Sequence, residues 1–166
     1  RAYSMPAGAV TPFAGASAPT GFLLCDGAAI SRSTYSVLFT AISTTYGTGD
    51  GSSTFNVPDL RGRVVAGQDD MGGSSANRLT DQTGGLNGDT LGDTGGSETH
   101  TLSVAQLPAH THTVTAHENP GGSGDSNGSE GGDSSFDRTS TTSSTGSGSA
   151  HNNVQPTIIL NYIIKT

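Results

Sequence analysis

Val154-Gln155-Pro156-Thr157-Ile158-Ile159-Leu160-Asn161-Tyr162-Ile163-Ile164-Lys165 is the most apolar and most β-branched stretch of the chain. Read as a strand with alternating side chains, it puts Ile158, Leu160, Tyr162 and Ile164 on one face and Ile159 and Ile163, with Asn161, on the other. Both faces are apolar, so such a strand must be covered on two sides. The residues just before it offer little cover. Positions 117–150 hold no Val, Ile, Leu or Met and a single large apolar side chain, Phe136, while five acids against one base leave them a net charge of −4. A segment of that composition does not fold alone. The reading therefore assigns the missing cover to a neighbouring chain.

The rest of the composition points the same way. Of 166 residues, 31% are hydrophobic and 25 are glycine, about twice the usual glycine share. Glycine buries almost no surface, so the core is thin and a compact, self-sufficient enzyme is not expected. Fourteen acids outnumber seven bases, giving a net charge of −7. No basic stripe is left to neutralise phosphates, which argues against nucleic acid as a partner. No run of 18 apolar residues occurs, so no membrane insertion is expected, and Arg1-Ala2-Tyr3-Ser4-Met5-Pro6 lacks the apolar region of a signal peptide. An opening on Arg1 predicts a processed or excerpted chain. The lone Cys25 cannot close an intrachain disulfide and reads as a buried, inert thiol. Oligomerisation or a metal remains to support so small a core.

Along the chain, Ala9–Phe13 and Gly21–Gly27 read as two short strands around a turn. In Ser33–Ile42, the residues Tyr35, Leu38, Phe39 and Ile42 form one apolar stripe at helical spacing. Ser31 or Ser33 is the expected cap of this helix, and Gly47 the expected left-handed residue beyond its end. Thr54–Gly67 is extended and interrupted at Pro58. Residues 68–97 read as a Gly/Asp-rich connecting loop, and Glu98–Leu102 and His110–Thr115 as short strands flanking a helical turn from Ser103 to Pro108.

Four of these blocks carry a resemblance: Pro19-Thr20-Gly21-Phe22-Leu23-Leu24-Cys25-Asp26-Gly27, Tyr35-Ser36-Val37-Leu38-Phe39, Tyr46-Gly47-Thr48-Gly49-Asp50-Gly51 and Thr54-Phe55-Asn56-Val57-Pro58-Asp59-Leu60-Arg61-Gly62-Arg63. In order and spacing they resemble the phage tail collar domain over about residues 6–67, with Phe22 where Trp is common. Gly95–Leu102, Leu107–His112 and Gln155–Lys165 look like the same family. The resemblance implies a mainly β module with one short helix (an α+β collar module), in an intertwined homotrimeric, fibre-like assembly. It implies attachment to a host surface and no catalysis, in a virion tail fibre or at an extracellular surface. The organisation expected is a collar domain at 1–67, the connecting loop at 68–97 and a C-terminal β region at 98–166.

His110-Thr111-His112 is the constellation with metal-ligand chemistry. On a strand the two imidazoles share a face. Three chains about a three-fold axis would supply six nitrogens, a shell that suits iron and accepts zinc or nickel. Some phage tail fibres that resemble this chain hold a metal with such a pair from each of three chains, and the resemblance carries this over to His110 and His112 only. Imidazoles ligate when neutral, and with a reference pKa of ~6.5 trimer stability is expected to fall below about pH 6. His100, His117 and His151 show no comparable spacing, and Glu98 with His100 lacks the context of a nucleophile. Asp50-Gly51 reads as a turn, and Asp59 with Arg61 and Arg63 as an ion pair locking a bend. The exposed segment 117–150 is the candidate for binding a host-surface glycan or protein, with Asn127, Phe136 and Arg138 as its named contacts. A different reading makes the chain a repeating subunit of a bacterial extracellular filament derived from a phage collar module. The start at Arg1 and the short length keep this second reading open beside the first, because a tail fibre normally carries a long shaft and a baseplate-attachment region before its tip.

Overall fold

The computed structural model describes residues 5–81, 85–112 and 146–166. They form small antiparallel sheets and one helix, a mainly β architecture. The chain divides into two compact units, Arg1–Glu98 with Val154–Thr166, and Thr99–Asn153.

In the first unit, β1 (Val10–Phe13), β2 (Phe22–Leu24) and the last strand of the chain form a three-stranded antiparallel sheet with the last strand in the centre. That strand spans Asn161–Lys165 and pairs Ile164 with Val10 on one side and with Leu23 on the other. Pro12 cannot donate to a ladder, and it sits on an edge strand. β3 (Ala29–Ser31) pairs with β4 (Thr54–Asn56), setting Ile30 opposite Phe55. Beyond β4 the chain stays tied to the segment after β2, through Val57 N–H to Ala28 O at 3.1 Å and Leu60 N–H to Cys25 O at 2.9 Å.

The helix α1 spans Ser36–Ile42 and buries Leu38 completely, with Tyr35, Phe39 and Ile42 packed against the core as their spacing predicts. Its ends differ from expectation. No side chain caps the start, where Tyr35 is the capping position; Ser31 O accepts from Tyr35 N–H at 3.1 Å instead. At the other end Ser43 is the capping position, with φ 48° and its N–H donating to Phe39 O at 2.8 Å, while Gly47, also at positive φ (139°), lies four residues further on. The helix therefore stops earlier than a glycine signal suggests. Cys25, Leu38, Phe55, Val57 and Ile164 form the buried cluster.

The expectation that a neighbouring chain must flank the final strand is corrected for 161–165. β1 and β2 of the same chain lie on either side, and Ile163 and Ile164, which face opposite ways, are both buried. The partners come from far earlier in the sequence, not from the residues immediately before the strand. The preceding apolar residues are outside the strand and exposed, Ile158 at 80% and Ile159 at 84%.

Residues 68–97 contain no strand among those described, yet they are bonded. The Asp69 carboxylate accepts from Arg78 N–H at 2.7 Å and Leu79 N–H at 2.8 Å, and the backbone of Asp69 donates to Gly88 O at 2.7 Å. In the second unit, two-residue strands β5 (Thr99–His100) and β6 (His151–Asn152) pair, and a 3-10 turn at Val104–Gln106 follows Ser103 as predicted. With these labels the final strand is β7 (Asn161–Lys165).

Candidate functional site

Histidines dominate the second unit. The proline-bounded segment after the 3-10 turn carries His110 and His112, both exposed, with ring centroids 5.0 Å apart and planes at 82°. Residues 110–112 are not a strand, and 113–115 lie outside the described residues. The rings nevertheless meet. Two imidazoles sharing one ion with metal–nitrogen bonds of 2.0–2.1 Å have centroids about 4.5 Å apart at a right angle and about 5.2 Å at a tetrahedral angle. The observed 5.0 Å separation falls between them. His110 Nδ1 stands 3.0 Å from Pro108 O, which only accepts, so the ring donates there and its Nε2 keeps the lone pair in the neutral form. A metal-ligating histidine commonly fixes its second nitrogen in this way.

A second pair was not signalled by spacing. β5 and β6 place His100 opposite His151, with ring centroids 5.9 Å apart and planes at 75°. Gln106 Oε1 accepts from Ser103 N–H at 2.8 Å and the Ser103 hydroxyl at 3.1 Å, and also from His100 Nε2 at 2.9 Å. The capping box of the turn thereby orients an imidazole. Among the described residues, no three His, Cys, Asp or Glu side chains gather in one place. Asn127, Phe136 and Arg138 lie outside the described residues.

The polar residues of the first unit are engaged in shaping its backbone. Asp59 and Arg61 make a two-pronged ion pair, both contacts at 2.8 Å, beside Gly62, whose φ is 67°. The guanidinium hydrogen bond holds the Asp59 carboxyl at about 2, below its usual 3.8, with the Arg61 backbone N–H and the charge of exposed Arg63 acting in the same direction. Asp50 accepts backbone N–H groups from Ser52, Ser53 and Thr54 as well as the Ser53 hydroxyl. That hydroxyl, followed by the backbone donors, keeps the carboxyl well below the ordinary range. Its lone pairs organise a turn. Arg32 closes the same loop, donating to Thr54 O at 2.8 Å while its guanidinium lies 4.9 Å from the Phe39 ring centroid. Cys25 is 4% exposed, and burial, then the charge of Asp26, pushes its thiol up to about 11. It stays protonated at neutral pH.

Residues 8–65 match the family model described as Phage Tail Collar Domain. The match spans β1 to the bend at Asp59–Arg61 and contains the helix, the Asp50 turn and four of the five residues of the buried cluster. The segment is thus similar to a structural rather than enzymatic family, a likeness that suggests a structural role in a phage tail. No curated protein matches the chain. Among the described residues, no helix is long and apolar enough to cross a membrane.

Proposed function

We propose that the chain is the distal module of a phage tail fibre, assembled as a homotrimer and attaching the particle to a host cell surface. The observation that carries this reading is the collar domain joined to an apolar run left in water: Val154, Ile158, Ile159 and Leu160 are 50%, 80%, 84% and 42% exposed. Contiguous exposed apolar residues of this kind are interface material. Identical copies supply matching surface about a three-fold axis, and in such an assembly the His110/His112 pairs of three chains would offer six nitrogens to one iron or zinc ion. Segment 117–150, rich in Ser, Gly, Asn and Asp, provides hydrogen-bonding groups for a surface glycan or protein, with Asn127, Phe136 and Arg138 as contacts.

Adhesion is tested by binding of labelled protein to host cells. Deleting 121–149 is expected to abolish binding while leaving the collar unit folded, as read by its thermal melt. Full binding by the deleted form would overturn the adhesive role. Electron micrographs showing open-ended polymers in place of particles of fixed length would instead establish a filament subunit.

A further inference from the structure

We propose that His100 and His151 form a second site, for a divalent transition-metal ion, clasping the ladder between β5 and β6 at the base of the long polar segment. It is separate from the His110/His112 pair and does not depend on a three-fold axis. Three observations carry it. The two imidazoles are register partners on neighbouring strands, so the backbone itself sets them side by side. Their centroids are 5.9 Å apart, inside the window from about 5.2 Å at a tetrahedral angle to about 6.4 Å for a linear arrangement that metal–nitrogen bonds of 2.0–2.1 Å allow. The protons are also placed to leave ligand lone pairs. Gln106 Oε1 already accepts from Ser103 N–H and Oγ–H, so His100 Nε2 donates to it and Nδ1 is the ligand atom. His151 Nδ1 lies 3.4 Å from the Asn152 carbonyl, an acceptor, which leaves Nε2 as its ligand atom.

Two imidazoles select zinc, nickel or copper over magnesium or calcium, which take oxygen ligands. Water completes the shell, since His151 is exposed and His100 half-buried. The ion would join two strands of only two residues each, a ladder too short to be stable unaided. Metal binding and ordering of this ladder are therefore linked. Gln106 is a positioning residue: it holds the His100 ring and its tautomer without touching the ion.

The test is calorimetric titration of zinc chloride into the full chain carrying His110→Ala and His112→Ala, which removes the other pair. One zinc per chain is expected, a stoichiometry distinct from one ion shared by three chains. Adding His151→Phe keeps an aromatic ring in the ladder and removes the ligand nitrogen, and at least tenfold weaker binding is expected. Gln106→Ala should weaken zinc about tenfold, and Gln106→Glu, which still accepts from His100, should restore it. Hydrogen exchange at Thr99, His100, His151 and Asn152 should slow on adding zinc in the parent and not in the His151→Phe form. Equal zinc binding with and without His151, or exchange at the ladder indifferent to zinc, would overturn the proposal, whatever becomes of the adhesive role.

Discussion

The unit that contains the collar-like segment 8–65 and the unit Thr99–Asn153 are built on different physical principles. In the first, Leu38, Phe55 and Ile164 are wholly buried, and a helix, two sheets and a set of polar turns all converge on them. In the second, none of the described residues is buried, and order comes from polar side chains meeting one another: Ser103 with Gln106, His100 with His151, His110 with His112. Hydrophobic contact holds a fold in any solvent condition that preserves burial. Imidazole contacts respond to metal. The two units should therefore fail under different perturbations.

The largest effects belong to the buried cluster. Phe55→Ala, which also removes a partner 5.0 Å from the Phe39 ring, should cost about 3–5 kcal/mol, and Leu38→Ala about 2–5 kcal/mol, read by denaturant melts of the collar unit. Neither change should alter zinc binding by a separately ordered His100/His151 pair. A loss of zinc binding while the collar unit remains folded would break the contrast. Next comes Gly49, where φ is +60° and an added Cβ would meet the Thr54 backbone at 2.6 Å. Gly49→Ala should cost at least ~1–3 kcal/mol by straining the loop that Asp50 organises.

A smaller effect is expected at Asp59. Its carboxyl is held at about 2 in the folded chain, against 3.8 ordinarily, so its contribution to stability is complete above pH 3.8 and is lost as pH falls through about 2. Asp59→Asn should lower the melting temperature slightly at neutral pH, by a small amount because the pair is exposed, and the difference from the parent should vanish as pH falls through about 2. The least perturbing probe is the Cys25 thiol. Buried and raised to about 11, it should resist maleimide at pH 7.5 in the native protein and react on unfolding; rapid native labelling would show that the cluster opens locally.

Local signals in the sequence carry much of the first unit. The stripe Tyr35, Leu38, Phe39, Ile42 locates the helix because packing and helical period agree there. β1, β2 and β4 fall inside the apolar runs that mark them. The stripe also marks the helix end at Ile42, but the cap there is Ser43, at a positive φ that glycine usually marks, and not Gly47. The apolar faces of the last strand were legible at Ile163 and Ile164, but not their cover, since pairing with residues at the other end of the chain leaves no local trace. His100 and His151 escaped for the same reason. Each is an isolated histidine until β5 and β6 align them, whereas His110 and His112 announce themselves by adjacency.

In the proposed trimer the exposed run at 154–160 is the surface through which copies meet. Sedimentation equilibrium of the intact protein at micromolar concentration tests this most directly, compared with a variant carrying Ile158→Asp and Ile159→Asp. Three times the chain mass is expected for the parent and one chain mass for the variant, with the melt of the first unit retained in both. A parent that sediments as a single folded chain, or a variant that remains trimeric, would contradict that assembly.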